Sequence, residues 1–299
     1  MRTQHVVGLA ALCLPLFFAA GCGNAAPLAT SSPTPKPVVL SLQPVLASSD
    51  LAVGPNRVVF ALLNAQGEPI TATAVDVRLA FVQGDTPTPA GTVVAGFRPW
   101  PVGTGGVFVA QMDFSQAGKW LAEMTPHDGV AGGEMARLVM PVAERSVTTP
   151  LGEMPPASMN PTGSDPAILA KITSDIHPDP DLYAMTIADA ERSGKPTVVT
   201  FSTPAFCTSR TCGPQMDVVK QLKNDYKAQG NFIHVEIFAN PQEMRTDPSK
   251  GVVSPEVDQW RLPSDPWTFV LDKQGRVAAK FEGFVSYDEL AASFKQALG

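Results

Sequence analysis

Two cysteines carry most of the chemistry that this sequence announces. Cys207 and Cys212 lie in the stretch PTVVTFSTPAFCTSRTCGP, residues 196–214. The stretch opens as a short buried strand, with Val198, Val199 and Phe201 following the turn-like Gly194-Lys195-Pro196. It closes at Gly213-Pro214, where a helical pattern begins with Met216, Val219, Leu222 and Tyr226 on one face. A thiol pair therefore sits between the end of a core strand and the start of a helix. Free backbone N–H groups at a helix start stabilise an anion, and a thiolate is one. Residues five apart in a straight helix stand ~8.7 Å apart at Cα, beyond the ~7 Å reach of a disulfide. If the two cysteines pair, the segment between them must be a loop or a broken turn, with the main helix starting near Pro214. Thiol–disulfide exchange, a fixed disulfide stiffening a turn, and metal handling are the chemistries open to such a pair.

The elements that must hold this pair follow on both sides. Asp181–Ser193 reads as a helix ended by Gly194, and Asn231–Phe238 as an alternating strand. His234 falls mid-strand, which predicts a partly buried, hydrogen-bonded histidine rather than a metal ligand. A short helix is expected around Ser254–Arg261. Trp267–Leu271 and Arg276–Phe281 then form a hairpin around Asp272-Lys273-Gln274-Gly275, and Ser286 caps a helix running to Leu298.

This arrangement resembles the thioredoxin superfamily, in particular its membrane-anchored extracytoplasmic members. Strand–aromatic–cysteine (Phe201 to Phe206-Cys207), the later Asp265-Pro266-Trp267-Thr268-Phe269-Val270-Leu271 and the final amphipathic helix carry the resemblance, which spans 181–299. It implies an α/β thioredoxin-like domain and a cis peptide at Pro266 lying against the thiol pair. It also implies Cys207 as the attacking thiol and Cys212 as the resolving one, with exported protein thiols or disulfides as partners. The chain departs from the family's pattern in three ways. Four residues separate the cysteines instead of two, and one extra residue precedes Cys207. Thr200 stands where the family's thioredoxins bury an aspartate, so that proton acceptor is missing. Thioredoxin-fold copper carriers, which use two close cysteines and a distant loop histidine, are a poorer likeness, because the corresponding loop here holds no histidine. The family's peroxidase pattern is absent, with Pro204 where its threonine belongs. The competing expectation is a non-catalytic interaction module with a fixed disulfide. No cofactor and no metal are expected.

The rest of the chain predicts where such a domain works. Arg2 precedes an apolar run, Val6–Ala20, and Ala19-Ala20-Gly21 lead to Cys22. Residues 1–21 therefore read as a secretory signal, and the string before Cys22 resembles a bacterial lipobox, implying a lipid on Cys22 and an outward-facing, membrane-anchored protein. Of the four cysteines, only Cys207 and Cys212 then stay free to pair, in a compartment where disulfides persist. Residues 22–37, rich in Ala, Ser, Thr and Pro, read as a tether.

Residues 38–143 change to short strands with turn signals between them, at Val38–Leu42, Arg57–Leu63, Thr73–Val82, Val93–Phe97, Val107–Phe114, Lys119–Met124 and Ala136–Val142. This predicts an all-β sandwich of immunoglobulin type. Its Ser115–Trp120 turn resembles small exported modules of the YtkA-like kind. Met112, Met124 and Met140 read as core filler rather than copper ligands. Residues 144–180, with seven prolines from Arg145 to Pro180 and little periodicity, read as a linker between independently folding halves. The net charge of −6, with acids and bases interspersed, gives no basis for nucleic-acid binding. The expected chain is thus multidomain, an all-β module followed by a thioredoxin-like one.

Overall fold

Alternating apolar residues build the first half. The computed structural model describes residues 42–299. Seven strands come first: β1 (Gln43–Leu46), β2 (Gly54–Leu63), β3 (Ala74–Gln83), β4 (Thr86–Pro99), β5 (Gly106–Phe114), β6 (Gly118–Pro126) and β7 (Ala136–Val142). They pair antiparallel in the order β1-β2-β5-β4-β3-β6-β7. Strand β3 shows how the pattern works: Val75, Val77 and Leu79 are buried while Asp76 and Arg78 between them are exposed. The strands enclose one core that includes Phe60, Phe108, Phe114 and Trp120. Met112, Met124 and Met140 fill it, all but inaccessible, and Trp120 Nε1 donates to the Gln116 carbonyl at 3.0 Å across the turn expected there.

The all-β expectation holds, but the ladder is one continuous sheet rather than two separate ones. Strand β4 is the reason. Its residues 86–96 pair with β3, and its last residues, Gly96–Pro99, pair with β5. A strand shared in this way turns a corner and joins the two layers. β4 is also far longer than the expected Val93–Phe97, because Pro87, Pro89 and Gly91 read as breakers. Over that stretch β4 bonds to β3 alone, so one side is an open edge where proline removes no ladder bond. The expected signal peptide, Cys22, the expected tether and most of the expected strand 38–42 lie outside the described residues. Among those described, no helix is long and apolar enough to cross a membrane.

The second half is α/β. Helices α1 (Pro166–Ile172) and α2 (Ile187–Glu191) precede strand β8 (Thr197–Ser202), and helix α3 (Cys212–Tyr226) leads to β9 (Asn231–Glu236). Two short helices, α4 (Pro241–Met244) and α5 (Pro255–Trp260), come before the hairpin β10 (Trp267–Leu271) and β11 (Val277–Glu282) and the final helix α6 (Tyr287–Leu298). The sheet order is β11-β10-β8-β9, with β8 and β9 parallel and the other pairs antiparallel. Every residue of β8 is buried, as a central strand covered on both faces requires. Met216, Val219 and Leu222 of α3 and Leu290 and Phe294 of α6 pack in one cluster with Val198, while Phe201, Trp260 and Phe269 fill another. Ser286 Oγ caps α6 through the Glu289 N–H, as its sequence predicts.

The proline-rich stretch 144–180 is not a solvated linker. Ser158 accepts from Trp260 Nε1 at 3.1 Å, and Asn160 accepts from the Ile187 N–H at 2.8 Å. Leu169 of α1 lies in the α/β core, and the Ser174 N–H donates to the buried Glu236 carboxylate at 2.7 Å. Prolines remove periodicity, yet an irregular chain is held in place when its side chains enter the core and its polar groups bond to distant elements, as these do.

The two halves also dock, since residues 42–299 belong to one compact unit. Arg57 of β2 makes a bidentate pair with Glu289 of α6 at 2.7 and 3.0 Å and lies over the Phe281 ring. Lys280 of β11 reaches Asp50 at 3.0 Å, together with Ser146 and Thr148. Burial alone would raise the Asp50 pKa. The hydrogen bonds from Ser146 and Thr148 and the Lys280 ammonium overcome that effect and lower it to about 2. A linker between independent modules would leave these groups to water.

Candidate active site

The end of β8 sets the position of the thiols. Past Ser202 the chain leaves the sheet at Thr203-Pro204 and turns twice. The Phe206 N–H donates to the Thr203 carbonyl, and the Arg210 N–H to that of Cys207. Arg210 takes a left-handed conformation, φ 59°, which ends the loop before α3 can begin. This broken backbone brings Cys207 and Cys212 to a Cα separation of 5.9 Å, and they form a disulfide. The helical geometry that forbade a straight segment is thus obeyed. Helix α3 starts at Cys212 itself, two residues earlier than Pro214 predicts.

The two sulfurs differ in surroundings. Cys207 is half-buried, and its Sγ lies 3.1 Å from Ser209 Oγ, which continues to Thr211 Oγ1 at 2.8 Å. A hydroxyl donor there stabilises a Cys207 thiolate. Cys212 is fully buried at the first residue of α3. Its Sγ is 3.5 Å from Asp265 Oδ2. Helix proximity favours a thiolate at Cys212, but burial and a neighbouring carboxylate both oppose one. Geometry therefore gives Cys207 the access that attack requires. Gln215, in the first turn of α3, is buried and accepts from the Val285 N–H at 2.9 Å.

The Asp265–Pro266 peptide is cis, and Pro266 is buried at the head of β10. Thr200 is buried on β8, and its hydroxyl meets that of Thr268 at 3.2 Å, so this position holds no carboxylate. Asp265 does, from the loop that leads into β10. Burial pushes its carboxyl above the usual carboxylate range. Sequence reasoning missed Asp265 as a site residue, although its place before Pro266 was the available signal. The donor atoms of Cys207, Cys212 and Asp265 lie within 4.8 Å of one another. While the sulfurs are bonded to each other, neither offers the thiolate that metal binding needs.

A mostly apolar groove of about 260 Å³ opens beside the disulfide loop. Ser209, Thr211, Asp265 and Phe284 form one wall, and Val59, Pro99 and Trp100 of the β-rich half form the other. This second wall exists only because the halves dock.

His234 stands behind the site, as a core residue. The Tyr183 hydroxyl donates to its Nδ1 at 2.8 Å, and its Nε2 meets Ser202 Oγ at 2.9 Å. Burial, with Lys220 nearby, outweighs the help from Ser202 and Asp175 and lowers its pKa from 6.5 to about 4. The unfolded chain binds this proton about 2.5 pH units sooner than the folded one. Stability is accordingly expected to fall by about 3 kcal/mol as pH drops from 6.5 to 4. Urea midpoints measured across that window check this. His234→Gln should be less stable at neutral pH yet lack this part of the slope.

A family model described as a thioredoxin-like domain matches residues 183–298. No curated protein sequence matches the chain. Solved structures with similarity include dsbF of MTB in its mixed oxidized and reduced forms, with 23% identity and TM-score 0.28, covering 35% of this chain and 81% of that one. A thiol:disulfide interchange protein of Chlorobium tepidum TLS has 20% identity and TM-score 0.30, covering 48% and 99%. A DsbF homologue of Corynebacterium diphtheriae has 17% identity and TM-score 0.31, covering 46% and 99%.

Proposed function

Because residues 183–298 form a thioredoxin-like domain, we propose that this protein carries out thiol–disulfide exchange through Cys207 and Cys212, anchored outside the cell membrane by a lipid on Cys22. The observation that carries the reading is the disulfide at the strand–helix junction, one sulfur accessible and the other buried at a helix start. Exchange requires this asymmetry. An incoming thiolate attacks the reachable Cys207 sulfur, and Cys212 leaves; in the reverse direction Cys207 attacks a partner disulfide and Cys212 displaces the partner. The basic start, apolar run and Ala-Ala-Gly-Cys string support the anchoring. Partners are then exported proteins bearing thiols or disulfides. The apolar groove supports recognition of an unfolded segment around the partner's cysteine.

One experiment tests both parts. The full chain and its Cys22→Ser variant are expressed in a bacterial host, fractionated, and equilibrated in glutathione buffers of graded potential. Thiol-blocking gel shifts then report the state of the Cys207–Cys212 pair. The wild-type chain should sediment with membranes and the variant should not, while both pairs interconvert reversibly at one common potential. A pair that stays oxidised in every glutathione buffer would support a fixed structural disulfide instead.

A further inference from the structure

We infer that Asp265 is the proton acceptor and donor for Cys212, a catalytic residue of the exchange proposed above, because its Oδ2 stands 3.5 Å from the Cys212 sulfur at a position where that sulfur is fully buried. The inference rests on that exchange reading. A buried thiol must lose its proton before it attacks, and with no access to solvent a neighbouring side chain has to take it. The two residues are 53 apart in sequence, brought together because β10 enters the sheet beside β8.

The partner's sulfur is bonded to Cys207. Asp265, ionised, removes the proton from the Cys212 thiol. The Cys212 electron pair forms the Cys207–Cys212 bond as the Cys207–partner bond breaks, and the partner leaves as a thiolate that takes a proton from water. The protein is oxidised by two electrons and the partner disulfide is reduced. In the opposite direction the neutral carboxyl returns its proton to Cys212 as that sulfur leaves.

The surroundings suit a group that must change charge. Burial raises the Asp265 pKa toward that of a thiol, which narrows the proton-transfer gap. Charged groups sharing the groove are Arg57, Arg98, Glu282 and Glu289. Arg57 is engaged by Glu289, and Glu282 by Ser49 and Ser264. Among the described residues, no cation is hydrogen-bonded to Asp265, so no ion pair locks it in the charged form.

The test follows reduced protein mixed with a small aromatic disulfide in a stopped-flow instrument. A first release of chromophore reports attack by Cys207, and a second reports resolution by Cys212. For Asp265→Asn the second phase is expected to slow on the order of 10²-fold near pH 6.5. It should converge with wild type above about pH 9, where thiols ionise unaided. The first phase should stay within about twofold of wild type. The wild-type profile supplies an arm independent of the variant's folding: its second phase should rise through an ionisation well below that of a free thiol. A second phase in Asp265→Asn matching wild type at every pH would overturn the inference, as would a wild-type profile with only a thiol-like ionisation. Absence of both phases in wild type would instead overturn the exchange reading.

Discussion

Cys212→Ser is expected to accumulate a stable mixed disulfide with a partner or small disulfide, and Cys207→Ser is not. The half-buried Cys207 sulfur, next to the Ser209 hydroxyl, can be reached and can form the covalent adduct. Cys212 is buried under the helix start, so it can attack only the sulfur already bonded to its neighbour. Removing it leaves the adduct without a resolving thiol. Steady-state turnover should fall by at least about 10³ in either variant, since each breaks a two-step covalent cycle. Mass spectrometry of the trapped species distinguishes them: about one adduct per chain for Cys212→Ser and essentially none for Cys207→Ser. The reverse pattern would exchange the roles. The variants should remain folded, because a six-residue loop contributes little chain entropy to a domain of this size.

The second large effect concerns the proline-rich segment. A fragment beginning at Asp181 is expected to be severely destabilised, while one beginning at Arg145 folds. The shorter fragment loses Leu169 from the core, which alone costs roughly 2–3 kcal/mol. It also strips hydrogen-bond partners from the Ile187 N–H, Trp260 Nε1 and the Glu236 carboxylate, at about 1–3 kcal/mol each when buried. The sum, more than about 5 kcal/mol, rivals the whole stability of an ordinary domain. Urea unfolding of the two fragments, followed by tryptophan fluorescence of Trp260 and Trp267, measures the difference. By the same argument, limited proteolysis of the intact chain should spare residues 150–175. Equal stability of the two fragments would show that this segment only covers the surface.

The local alphabet of this fold was largely legible. Alternation in Val75–Phe81 specified β3, the apolar run Val198–Phe201 specified the central strand, and Ser286 marked the start of the last helix. Each is a short-range rule, and each held. The disulfide's need for a broken backbone was legible too, because helical rise alone forbids pairing five residues apart. Where reading from sequence failed, proline misled it. In β4 it sits on an open strand edge, and in 144–180 it lies in an irregular segment whose partners are distant in the chain. Neither the vacancy on one side of β4 nor the donors that Ser158 and Asn160 accept from is visible in a local window.

By itself, then, the sequence determined the two-part composition, the thiol pair between strand and helix, and the residues able to form each element. These follow from side-chain period, backbone restriction and cysteine chemistry, all of which act within a few residues. Only the tertiary structure decided which thiol is reachable, that a carboxylate from the loop just before β10 stands against the buried one, and that the β-rich half supplies the second wall of the groove. Those outcomes depend on strand order and on Arg57–Glu289 and Lys280–Asp50, ion pairs between residues more than 200 positions apart. Sequence spacing carries no information about such contacts until the chain has folded.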